Sequence, residues 1–191
     1  MKMQTSLRRV GEMVVGLSML LLVAAMSQAG GETFTATASV KAPAGTATRA
    51  ITIHVDRLVT EAERATILAA VSKNDPAAVQ KALEATPDVG YIEADGRRTP
   101  LKYAYGRSTG GGRLLTVVTA KPVGYIGASD PGAKAAAGHE IALALLVLDD
   151  KSAGNGEISP AVTLKVDAQG AIVTSDYSHE VVRLTQIAKV K

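Results

Sequence analysis

The stretch Ile51–Glu93, ITIHVDRLVTEAERATILAAVSKNDPAAVQKALEATPDVGYIE, decides the fold. Ile51, Ile53 and Val55 alternate with Thr52, His54 and Asp56, the period-two pattern of a half-buried strand. Thr60 and Glu63 then stand at the spacing of a capping box, in which each side chain satisfies the other residue's backbone N–H. Behind that cap, Arg64, Ile67, Leu68 and Val71 recur at helical spacing, and Glu61 and Glu63 occupy the first turn, where the helix dipole favours negative charge. Lys73-Asn74-Asp75-Pro76 ends this helix and begins another, because Asp75 is a good N-cap and Pro76 fits the first helical position. Val79, Ala82 and Leu83 form the second apolar stripe, Pro87 stops it, and Val89–Glu93 is again a short strand. The stretch thus predicts strand, helix, helix, strand, with residues 61 to 86 as an α-helical hairpin. Both stripes are narrow and alanine-rich, so neither helix is stable alone and both are expected to lie on a sheet.

Working outward, Phe34, Ala36, Ala38 and Val40 alternate with Thr35, Thr37 and Ser39, which predicts a strand before the key stretch. After it the pattern is almost wholly β. Asp95-Gly96 is a hairpin turn signal, followed by Leu101, Tyr103 and Tyr105 in alternation, then Gly110-Gly111-Gly112 and an apolar strand from Leu114 to Ala120. Ile141–Leu148 is expected to pair through Asn155-Gly156 with Ile158–Val166, with Val162, Leu164 and Val166 facing inward. Gln169-Gly170 turns into Ala171–Ser175, and Val181–Val190 closes the chain. Residues 121 to 138 carry two prolines (Pro122, Pro131) and four glycines (Gly124, Gly127, Gly132, Gly138) and no clear element, so this segment is expected to be an irregular loop, variable or mobile. The fold class that follows is α+β: one antiparallel sheet, strongly curved or partly closed, with the helical hairpin packed on one face or end. The alternative is a β-sandwich carrying the helices as an insertion.

The first 29 residues are read as a signal peptide rather than as part of the fold. Lys2, Arg8 and Arg9 precede an apolar run from Met13 to Met26, and Ser27-Gln28-Ala29 places small residues where a signal peptidase reads. The run is short for a membrane-spanning helix, which needs about 20 apolar residues. Cleavage near Ala29 leaves residues 30 to 191 as a single domain, secreted or periplasmic. It also removes three cations and Glu12, taking the formal net charge from +3 to +1, so bulk charge gives no reason to expect a nucleic-acid partner. The chain has no cysteine, which excludes disulfides and a lipobox. The longest later apolar run, Ile141–Leu148, is too short to cross a bilayer.

Chemistry is thinly represented. His54 and Asp56 project from one face of their strand, His139 and Glu140 begin another, and Asp149-Asp150 end it. Strand pairing could bring these groups together, but no metal-binding or hydrolase motif contains them, and a solvated face explains His54 and Asp56 equally well. Asp149–Glu157 fails the spacing of a calcium loop, since the sixth and twelfth positions counted from Asp150 are Asn155 and Ala161. Ser178-His179 are adjacent and therefore diverge on an extended chain. Gly110-Gly111-Gly112-Arg113 lacks the lysine and following helix of a phosphate loop. Tyr103 and Tyr105 read as core or rim residues rather than as a stacking platform, with one Phe and no Trp beside them.

The ordered segments ITIHVDR (51–57), TEAER (60–64), PDVGYIE (87–93), PLKYA (100–104) and VRLT (182–185) resemble a family of uncharacterised exported bacterial proteins. That resemblance implies export and carries over no activity and no functional residue. The sequence therefore leads to an exported, non-catalytic binding or scaffolding module of the cell envelope or extracellular space, with no catalytic, cofactor or metal residues assigned. An envelope protein or a small apolar ligand is the expected partner. The alternatives are a carrier of a small apolar ligand within the curved sheet and, behind it, a hydrolase.

Overall fold

The computed structural model describes residues 31–42, 45–124, 135–178 and 180–190. The expected signal peptide (residues 1–29), His179 and residues 125–134 of the expected loop lie outside the described residues. The chain forms strands β1 (Glu32–Ala42) and β2 (Gly45–Val55), helices α1 (Glu61–Val71) and α2 (Pro76–Ala85), and strands β3 (Gly90–Ala94), β4 (Arg97–Thr109), β5 (Gly112–Thr119), β6 (Ile141–Asp149), β7 (Ala153–Val166), β8 (Ile172–Tyr177) and β9 (Val182–Lys189).

Every strand pairing is antiparallel. Strands β1 to β7 pair in order, and β9 returns between β7 and β1, closing all strands except β8 into an 8-strand barrel. The sheet is thus fully closed where a strongly curved or partly closed one was expected, and it is one sheet, not the two of a sandwich. Closure follows from the length of β7. Its second half pairs with β8 (Val166–Val162 opposite Ile172–Tyr177) and its first half with β9 (Ile158–Ala153 opposite Val182–Ala188). The two short strands are halves of one return strand, and the Ser178 N–H donates to the Ala161 carbonyl at 2.9 Å across their junction.

Residues opposite one another in a ladder share a face. Phe34, Ile53 and Ile92 are mutually opposite and all buried, which identifies the inner face. With Leu101, Ala104, Leu115, Val117, Leu146, Leu148, Ile158 and Leu184, each no more than 2% exposed, they fill the barrel. Eight strands enclose a space about wide enough for side chains alone, or for one small ligand. Here apolar side chains occupy it.

A bulge between Leu101 and Tyr103 changes the side to which β4 points. Tyr103 pairs with Val118 and Tyr105 with Thr116, both on the outer wall, while Ala104 and Val117 turn inward. This is why Tyr103 and Val118 are buried although they face away from the barrel: the helices cover them. Strand stagger places the helices there. Val55 at the end of β2 lies level with Gly90, Leu101 and Thr119, so the chain leaving β2 crosses the outer wall near the far end of β5. Helices α1 and α2 touch one another, α1 touches β7, and α2 touches β4. Ile67, Val71, Val79 and Leu83 are buried against this wall with Tyr103, Ile141, Leu143, Val162 and Leu164. Val162 and Leu164 alternate as the sequence indicated, but they face the outer wall under the helices, not the barrel interior.

The helix ends form as the sequence dictates. Thr60 and Glu63 make both halves of the capping box, and the Asp75 carboxylate accepts from the Ala77 and Ala78 N–H groups ahead of Pro76. Asp95 and Gly96 have φ of 48° and 73°, as a tight hairpin requires. The β6–β7 turn differs from expectation. It lies at Asp149–Ala153, where the Asp149 carboxylate accepts from the Lys151 and Ala153 N–H groups, both at 2.9 Å. Asn155-Gly156 is inside β7. Glycine stands there because β6 runs too close for a side chain: a Cβ at Gly154 or Gly156 would lie 1.9 or 2.3 Å from a β6 carbonyl oxygen.

Candidate functional site

His54 lies on the outer wall opposite Thr33 in β1 and Tyr91 in β3. Its Nδ1 is 2.7 Å from the Thr33 hydroxyl and its Nε2 is 2.9 Å from Asp56 Oδ1. Its ring stacks on Tyr91 at 5.1 Å, and the Arg98 guanidinium sits over Tyr91 at 4.2 Å while bonding Glu93. A hydroxyl, an imidazole and a carboxylate in line have the order of a nucleophile, a base and its orienting acid. The surroundings do not support acyl transfer. Asp56 is 62% exposed, whereas such a relay needs water excluded and donors aimed at a developing oxyanion. The arrangement instead locks three neighbouring strands together at the wall.

The remaining groups singled out in the sequence do not join it. His139 Nε2 is 3.3 Å from Asp176 on β8, Glu140 accepts from the Gly138 N–H, and Asp149 organises its own turn. Of His54, Asp56, His139, Glu140 and Asp149, only the first two meet. Among the described residues no group of three His, Asp or Glu side chains is arranged to hold a metal ion. Gly110-Gly111 forms the tip of the β4–β5 hairpin, and Arg113 points into the barrel mouth. There it donates to Glu32 at 2.7 Å over the Phe34 ring, while Lys189 donates to the other Glu32 oxygen at 2.8 Å. Burial works against the charged form of Glu32, but the hydrogen bonds from Lys189 and Arg113 outweigh it and hold the carboxyl below its usual range. This cluster ties the first and last strands to β5 across the mouth. Under the helices, burial pushes the Tyr103 hydroxyl up to about 12 against the opposing effect of Arg64.

A concavity forms elsewhere, where the end of α2 meets β4 and the end of β5. It has a volume of about 320 Å³ and is lined by Glu84, Asp88, Pro100, Lys102, Ala120 and Lys121. The Lys102 ammonium is fixed by Asp88 Oδ1 at 2.7 Å and the Thr86 carbonyl at 3.0 Å. Gln80 donates to the Ala120 carbonyl at 3.4 Å and so joins the two walls. Sequence reasoning missed this groove because its four charges come from four separate segments. The only local signal was Lys102 among the apolar residues of its strand.

Comparison with protein-family models, curated proteins and solved structures gave no match. Among the described residues no helix is long and apolar enough to cross a membrane.

Proposed function

We propose that the chain is an exported, non-catalytic binding module of the cell envelope or extracellular space, in which a solid barrel holds a preformed groove on its outer wall. The observation that carries this reading is the groove itself: its volume falls within the roughly 300–1,000 Å³ of small-molecule sites, and both its walls are fixed by hydrogen bonds. The two helices act as one hairpin that braces the wall and supplies half of the groove. The leader from Lys2 to Ala29 supports the export part of the reading, and intact mass of the exported chain tests it. Loss of residues 1 to 29 is expected, and a membrane-retained, full-length chain would overturn it.

The carrier of an apolar ligand is the second reading, favoured by closure of eight strands. It ranks behind because Phe34, Ile53, Leu115 and Leu146 would have to move apart to admit a ligand. One experiment addresses both. A thermal-shift screen of small polar and apolar compounds should find ligands that raise the melting temperature by mass action and are recovered chemically unchanged. Stabilisation only by apolar compounds would favour the carrier. Turnover of a bound compound, or no ligand at all, would defeat the binding-module reading.

A further inference from the structure

We infer that the groove at the end of α2 takes a small zwitterion, of the class of free α-amino acids and short peptides. The inference rests on the binding-module reading and adds its ligand class. The argument is charge complementarity within the lining. Pro100 and Ala120 are the apolar members of that lining, and the other four residues are charged. Glu84 and Asp88 come from the α2 side, while Lys102 and Lys121 come from β4 and from the residue following Ala120. Asp88 and Lys102 already pair, and their 2.7 Å contact fixes one carboxylate and one ammonium within the lining. The side chains of Glu84 and Lys121 make no hydrogen bond or ion pair among the described residues, so one carboxylate and one ammonium remain for a ligand.

A simple anion would meet two carboxylates, and a simple cation would meet two ammonium groups, so either is opposed as much as it is attracted. A ligand bearing both charges satisfies both sides at once, with its ammonium toward Glu84 and its carboxylate toward Lys121. The volume stands near the lower end for ligand sites, which suits a molecule of one or two residues rather than a folded partner. The groove is open to solvent, so the attraction is screened by salt and the affinity is modest.

The test is NMR titration of the exported chain with alanine and with alanyl-alanine, alongside N-acetyl-alanine and alanine amide, each of which carries one charge. Expected are saturable shifts at Glu84, Lys102 and Lys121 with a zwitterion, weakened about tenfold or more when either ligand charge is capped, and weakened by added salt. Lys121→Glu and Glu84→Lys should each reduce binding by a similar factor, and the double exchange should restore part of it. That restoration separates lost complementarity from lost folding. Tighter binding of alanine identifies free amino acids as the ligand, and tighter binding of the dipeptide identifies peptides. Equal binding of capped and uncapped forms, shifts confined to other surfaces, or no shift at millimolar ligand would overturn the zwitterion assignment. If a compound from the thermal-shift screen moves the same three residues while zwitterions do not, the ligand class fails and the binding-module reading stands. If neither kind of compound binds, both fail.

Discussion

Glu63 fixes the point at which the helices leave the barrel, and its contribution should be readable as a pH-dependent loss of stability. Its carboxylate accepts from both terminal nitrogens of Arg57, each at 2.8 Å, and from the Thr60 N–H at 2.7 Å. The Arg57 hydrogen bonds first, then the Thr60 backbone, lower the Glu63 carboxyl from 4.5 to about 2. The unfolded chain therefore takes up this proton at a higher pH than the folded chain does. The stabilisation is fully present above about 4.5 and is lost as the pH falls toward about 2. At about 1.36 kcal/mol per pH unit, that depression corresponds to an upper bound of about 3 kcal/mol. Arg57 is 37% exposed, and solvent screening of the pair reduces the figure to about 1–2 kcal/mol.

Glu63→Gln keeps the chain length and one acceptor oxygen while removing the charge. Urea unfolding followed by far-UV circular dichroism should show the variant less stable by about 1–2 kcal/mol near neutral pH. The difference between parent and variant should shrink as the pH falls below about 4.5 and nearly vanish only once it has passed through about 2, and taking the difference cancels the other carboxylates. A difference that stays constant across that range would refute the assignment of the stabilisation to the ionised carboxylate.

Three further outcomes follow from the packing. Leu146→Ala, inside the barrel, should cost about 2–5 kcal/mol in chemical denaturation, whereas Val147→Thr on the exposed side of the same strand should change stability by less than about 0.5 kcal/mol; similar losses would mean that the assigned faces are wrong. Gly90→Ala should be far more damaging than Gly96→Ala, because a Cβ at Gly90 would lie 2.0 Å from the His54 carbonyl oxygen while the space at Gly96 is open. Comparable melting temperatures for these two variants would contradict the β2–β3 register. In a spectrophotometric titration one tyrosine should ionise near 12, and Tyr103→Phe should remove that step; its raised value means that folding loses stability as the pH climbs above the ordinary tyrosine range near 10.

The fold was most legible where one residue type has one physical use. Thr60 with Glu63, Asp75 with Pro76, and Asp95 with Gly96 each formed the cap or turn that their chemistry demands. Alternation located the strands, but it could not distinguish two apolar environments. Val162 and Leu164 alternate in the same way whether they face a barrel interior or a pair of helices, and only the closed topology decides between them. Gly156 misled for a related reason. A glycine beside Asn is a strong turn signal, and a glycine forced by a neighbouring backbone gives the same letter. Closure itself was illegible, because it depends on β7 being long enough to hold both β8 and β9, and strand ends are the least defined part of a periodic pattern.

The sites were less legible than the fold, for a reason that lies in the barrel's geometry. A periodic strand pattern reports which residues share a face, and it correctly put His54 beside Asp56. It says nothing of what lies opposite on the next strand, so Thr33 and Tyr91 were invisible as neighbours of His54. The groove is a step further removed. Stagger carries the insertion after β2 across the wall to the end of β5, and that crossing sets Glu84 and Asp88 beside Lys102 and Lys121. Changing the length of the connection between α2 and β3 should therefore disturb the groove before it disturbs the barrel. A glycine inserted between Thr86 and Pro87 should weaken the Lys102 contacts to Asp88 and to the Thr86 carbonyl while leaving the ladders of β4 and β5 intact. Amide hydrogen exchange checks this: faster exchange confined to the end of α2 and residues 86 to 89 is expected, and equally accelerated exchange across β4 and β5 would show that the groove and the barrel are one cooperative unit.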